Sequence, residues 1–131
     1  NDQVDHIWAR AILSSKKAIK KQYPSITEDL IVQYKAQLNR LANLQILDSV
    51  VNNEKSDVPF SEWVNATYLD NPSLNRYKQE HFIPNGISLE FSDFLQFVKA
   101  REELLKLQIK KAFPTDFNEL VDRYSLRNKL V

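Results

Sequence analysis

One glycine, Gly86, serves the whole chain of 131 residues, where ordinary usage gives roughly nine. Phosphate-cradling loops and dinucleotide fingerprints need several glycines close together, so both are excluded. Cysteine is absent as well, which removes disulfide frameworks, thiolate nucleophiles and cysteine-ligated metal centres. Methionine is also missing and the chain begins at Asn1, so an excised or processed piece of a larger protein is expected. The length suits one domain with one core. Lys plus Arg number 18 against 17 Asp plus Glu, a formal charge of +1. Any nucleic-acid contact must therefore come from a local patch. No stretch approaches the roughly 18 consecutive apolar residues of a membrane span. No apolar leader follows Asn1, and a cytoplasmic location is the default expectation.

Periodicity predicts a mainly helical chain with a small strand-containing patch in its first third. Gln3 to Ile7 mixes Val and Ile with polar residues and reads as a strand. Arg10 to Lys21 carries Arg10, Lys16, Lys17, Lys20 and Lys21 with no acid. Ser25-Ile26-Thr27-Glu28 fits a capping box, and Leu30, Tyr34, Leu38 and Leu41 recur at helical spacing, predicting a helix from Thr27 to Leu41. Leu44 to Leu47 is a short apolar strand, and Asp48 is placed to cap a helix running to Glu54. Pro59-Phe60-Ser61-Glu62 opens another helix with Trp63 and Val64 inward. Asn71-Pro72-Ser73 starts the next, and Pro84-Asn85-Gly86 is a turn. From Glu90 to Phe113 one stripe of Phe91, Phe94, Leu95, Val98, Leu105 and Ile109 predicts a core helix about 36 Å long. Pro114 stops it, and Thr115 caps a last helix with Phe117, Leu120, Val121 and Tyr124.

The chain holds two histidines, His6 and His81, and histidine is the side chain most often used as a base near neutral pH. His6 directly follows Asp5. Within a strand these two side chains point to opposite faces, but at a strand end both can approach one ion. Carboxylate and carboxamide oxygens, as in Asp5 and Asn52, are hard ligands suited to Mg²⁺. Lys55 stands three residues after Asn52, on the same helix face, where it can set a positive charge beside a phosphate. Each feature also has a plainer reading. Asn52 and Asn53 can cap or end a helix, and His81 packs beside the Pro84 turn. The run from Arg10 to Lys21 is a solvated face or a track for a phosphate backbone. Trp8 and Trp63 read as core.

Val4-Asp5-His6-Ile7, then Asn43-Leu44-Gln45-Ile46-Leu47, then Asn52-Asn53-Glu54-Lys55-Ser56-Asp57 resembles the three-part signature of HNH (His-Me finger) nucleases. The likeness is closest to the C-terminal nuclease half of GmrSD-type modification-dependent restriction and phage-defence proteins. It covers Val4 to Pro59-Phe60 and extends more loosely, through Phe94 to Arg101, to about Phe113. The resemblance implies an α+β, mainly α-helical domain with a small ββα-metal motif embedded in it. Residues 1–57 would form that motif with a helical insertion and 58–131 a helical C-terminal part, together one domain. It implies His6 as the general base, Asp5 and Asn52 as ligands of one divalent metal (Mg²⁺, or Mn²⁺), Asn43 as the residue that orients the His-bearing loop, and Lys55 as a support for the phosphate. Ala9 stands where the family usually has Pro, and no second His occupies the metal position, so the ion would be weakly held. The implied partners are double-stranded DNA, contacted through Arg10, Lys16, Lys17, Lys20 and Lys21, and the other domains or a subunit of a restriction-type protein. The rival expectation is a catalytically degenerate HNH-like or helical module that binds nucleic acid or a partner protein.

Overall fold

A computed structural model describes residues 1–113, 122 and 123. Strand β1 (Asp2–His6) pairs antiparallel with β2 (Leu44–Asp48), with Gln3 opposite Leu47, Asp5 opposite Gln45 and His6 opposite Leu44. Alternation gives the two-stranded sheet unequal faces. Asp5, Gln45 and Leu47 are buried on one, while Val4 and Ile46 stay exposed on the other. Between the strands lie α1 (Arg10–Leu13), α2 (Lys16–Gln22), α3 (Glu28–Ala36) and a 3₁₀ turn at Leu41–Asn43. After β2 come α4 (Ser49–Lys55), α5 (Phe60–Thr67), α6 (Asn71–Glu80), a 3₁₀ turn at Phe91–Asp93 and α7 (Phe94–Ala112). The fold is α+β and mainly α, as the sequence predicts.

Side-chain caps set several of these helix starts. The Asp48 carboxylate accepts from Val50 N–H and opens α4, and Asp70 accepts from Ser73 N–H and opens α6. Such caps contribute about 1 kcal/mol each. At α3 the cap is Thr27, which accepts from Leu30 N–H. The expected Ser25–Glu28 box does not form: α3 starts at Glu28 behind the Thr27 cap, so Ser25 lies outside the helix, and the Glu28 carboxylate takes the Lys16 ammonium at 2.7 Å. That hydrogen bond holds the Glu28 carboxyl below its usual value. Helix α3 also ends at Ala36 rather than Leu41. The Leu38 carbonyl accepts from the Asn43 side chain and the Arg40 carbonyl from Asn43 N–H, so this backbone turns toward β2 instead of continuing the helix. Leu41 is consequently exposed.

The core gathers Trp8, Tyr34, Phe60, Trp63, Phe91, Phe94, Phe97 and Val98 with aliphatic side chains from α1 to α3. Tyr34 lies edge-on to Phe91, and its hydroxyl donates to the Phe91 carbonyl at 2.8 Å. The first half of α7 is buried down to Arg101. Its last turns are not: Leu105 is half-buried and Ile109 is 39% exposed. The apolar stripe is thus core over Phe91 to Val98 and solvent-facing at its far end. The helix predicted after Pro114 lies outside the described residues. Besides Gly86, Ser56 and Phe82 take positive φ, at 44° and 55°. For side-chain-bearing residues such backbone costs about 1–2 kcal/mol, and Ser56 uses it to end α4 directly after Lys55.

Candidate active site

Strand β1, strand β2 and helix α4 form one small unit, and Asn43 locks its entry. Asn43 has no exposed surface. Its Oδ1 accepts from Trp8 N–H at 2.9 Å, and its Nδ2 donates to the Trp8 carbonyl at 3.1 Å and the Leu38 carbonyl at 2.9 Å. Its own carbonyl accepts from Ile7 N–H at 2.7 Å. The backbone leaving His6 is therefore held on both sides by Asn43. An apolar residue there would leave buried backbone groups unpaired, at about 1–3 kcal/mol each.

Asp5 and Lys55 meet on the buried face of β1. Lys55 Nζ lies 3.2 Å from Asp5 Oδ2, donates to the His6 carbonyl at 2.8 Å and sits 5.7 Å from the centre of the Trp63 ring. Its side chain has 0% exposure. Lys55 is thus a buried brace between α4 and the end of β1, not the phosphate support that was expected, since no ligand in solvent can reach it. Burial pushes its ammonium below the usual lysine value, with Asp5 opposing the shift. Gln45 Nε2 donates to the same Asp5 Oδ2 at 3.0 Å, and Tyr77 on α6 donates its hydroxyl to Gln45 Oε1 at 2.7 Å. Burial raises the Tyr77 hydroxyl above its ordinary value, which keeps it a donor.

His6 is half-buried and points from the other face of β1. Its Nε2 lies 2.9 Å from Asn39 Oδ1. A carboxamide oxygen only accepts, so Nε2 is the donor in this bond and Nδ1 is not engaged by it. Asn52 lies one helical turn before Lys55, and its Nδ2 donates to Gln3 Oε1 at 2.9 Å. The structure therefore brings Asp5 and Lys55 together and sets Asn52 along the same strand face, beside Gln3. It gives His6 a separate partner.

Among the described residues no group of three or more His, Asp or Glu converges on one point. The candidate ligands are instead one carboxylate and one carboxamide. Asp5 Oδ1 and Asn52 Oδ1 take no hydrogen bond from the described residues, and both are hard oxygens that suit a Mg²⁺-class ion. Asp5 and Asn52 are the residues that would hold such an ion, with water in its remaining positions.

Elsewhere, Lys16 and Lys20 pair with Glu28, while Arg10, Lys17 and Lys21 are exposed and form no ion pair among the described residues. His81 stacks on Tyr77 with ring centres 4.7 Å apart, the packing role expected for it, and burial lowers its pKa. Trp8 and Trp63 are core, as predicted. Sequence reasoning missed Gln45, Tyr77, Asn39 and the reach of Arg101. The available signal was Gln45, a polar residue at an inward position of an otherwise apolar strand. Arg101 is buried in α7 and donates to the Leu41 and His81 carbonyls at 3.0 Å each. It ties the turn before Asn43 to the end of α6, and burial lowers its pKa to about 10. No helix among the described residues is long and apolar enough to cross a membrane. The chain matches no protein-family model, and no curated protein and no solved structure is similar to it, so its functional reading stands on the geometry of Asp5, His6, Asn43, Asn52 and Lys55.

Proposed function

We propose that the chain is an HNH-type endonuclease module that hydrolyses DNA phosphodiester bonds, as part of a restriction or phage-defence protein whose other domains choose the target. The observation that carries this reading is the Asn43 clamp on the backbone that follows His6, set in a strand–strand–helix unit with Asp5 on β1 and Asn52 on α4 hydrogen-bonded to Gln3 of the same strand. His6 Nδ1 is the base nitrogen: it takes the proton of the attacking water, while Asn39 holds the ring through Nε2. Asp5 and Asn52, on the face of β1 opposite the His6 ring, would hold a Mg²⁺-class ion, which would supply neutralisation of charge on a phosphate lying across the strand end. Lys55 braces Asp5 and the His6 carbonyl from below. The direct test is nicking of supercoiled plasmid: the protein is expected to cut with Mg²⁺ or Mn²⁺ and to stop with EDTA. Absence of cutting under every divalent-metal condition would remove the enzymatic reading.

The exposed cations of α1 and α2 are the proposed DNA track. Changing Lys16, Lys17, Lys20 and Lys21 to Gln is expected to weaken DNA binding and flatten its dependence on salt. Lys17 and Lys21 should each reduce the log–log slope by about 1. Lys16 and Lys20 should together contribute less, because they share the one compensating charge of Glu28. A slope that does not change places the DNA on another face.

One observation favours a second reading. Asp5 Oδ2 already faces an ammonium, which suits an HNH-like module that binds nucleic acid without cutting it. That module would show the same salt-dependent binding and no metal-dependent nicking, so the plasmid assay separates the two.

A further inference from the structure

Asp5 Oδ2 is held from two directions, by Gln45 Nε2 at 3.0 Å and Lys55 Nζ at 3.2 Å. Gln45 is in turn held. Half a turn about its last bond would set Oε1 against the Asp5 carboxylate, acceptor against acceptor. The Tyr77 hydroxyl, donating to Oε1 at 2.7 Å, fixes the amide in the productive sense. The Tyr77 ring is framed independently of that bond. It stacks on Tyr68 at 4.5 Å and His81 at 4.7 Å and meets Trp63 edge-on at 5.5 Å. A rigid ring on α6 thus sets an amide on β2, which sets a carboxylate on β1. Asp5 Oδ1 remains outside this chain of bonds.

We infer that Tyr77 and Gln45 are positioning residues for Asp5: Tyr77 fixes Gln45, which together with Lys55 saturates Oδ2 and reserves Oδ1 for a divalent ion. The inference rests on the nuclease reading and extends it. The metal ligand is set by a helix outside the strand–strand–helix unit, so the helical C-terminal part belongs to the catalytic apparatus.

Tyr77→Phe tests it, because the ring and its stacking are kept and only the hydroxyl is lost. Mn²⁺ affinity, read by electron paramagnetic resonance of the free ion, is expected to fall about 10–100-fold, the usual effect of losing an outer-shell partner. In cleavage, kcat should fall while KM for DNA holds, since the proposed DNA track on α1 and α2 is untouched. Tyr68→Phe is the control. Its hydroxyl makes none of these bonds, and its Mn²⁺ affinity should match that of the unaltered protein. Gln45→Met, close in volume, should reproduce the Tyr77→Phe defect and serves if that variant does not fold. If the unaltered protein binds Mn²⁺ and cuts DNA while folded Tyr77→Phe does both equally well, this inference falls and the nuclease reading stands. If the unaltered protein neither binds Mn²⁺ nor cuts, both fall together.

Discussion

Lys55→Met is expected to destabilise the protein by about 3–5 kcal/mol, the range seen when one partner of a buried ion pair is removed. In a chain of this length that is a fall in Tm on the order of 10 °C or more. The Met side chain fills much of the space, so the loss is electrostatic rather than a cavity. Asp5, itself buried, is left with one hydrogen bond from Gln45, and the His6 carbonyl loses its donor. An unpaired buried carboxylate is the costly part. Removing it as well should therefore recover stability: Asp5→Leu with Lys55→Met is expected to melt above Lys55→Met alone. Thermal melts of the two single variants and the double give the coupling directly. Melting of Lys55→Met within a degree or two of the unaltered protein would show that the pair does not brace α4. A double variant less stable than Lys55→Met would show that the cost is packing.

Much of the fold was legible because local chemistry and tertiary packing agree. Asp48 caps the helix it precedes, Pro59 starts one, and Pro72 sits in the first turn of another. Each signal acts within one turn of its own residue. The readings that missed depend on distant partners. The Ser25–Glu28 box is a good local motif, yet Thr27 caps the helix instead and Lys16 on another helix takes Glu28. Helical spacing carried α3 to Leu41, but the Asn43 side chain captures the Leu38 carbonyl and bends the chain. Lys55 shows the same limit within the site. Helical spacing set it one turn from Asn52, which is correct, but could not tell a solvent-facing lysine from one sealed under Trp63. Gln45 and Tyr77 are separated by 32 residues and Asn39 and His6 by 33. Such contacts are written in the fold, not in any window of sequence.

His6→Ala is expected to lower the cleavage rate by about 10²–10⁴-fold, the usual contribution of a positioned base, while leaving the fold and DNA binding close to unchanged. The two halves of that expectation come from different bonds. The chemistry depends on Nδ1, the ring nitrogen that the Asn39 bond leaves unengaged. The fold depends on His6 through its backbone, whose carbonyl is held by Lys55 and whose strand register is set opposite Leu44. Alanine keeps both. The lost side-chain bond to exposed Asn39 is worth about 1 kcal/mol, against the roughly 3–5 kcal/mol of truncating a core aromatic such as Phe94. Asn39→Ala should then give a partial rate loss, because the imidazole survives but loses the group that fixes its tautomer. Single-turnover cleavage and a thermal melt on the same samples decide the matter. A His6→Ala protein that cuts at the original rate shows that the base is another group. One that unfolds shows that His6 is a structural residue, and that the half-buried ring at the end of β1 was placed there for packing.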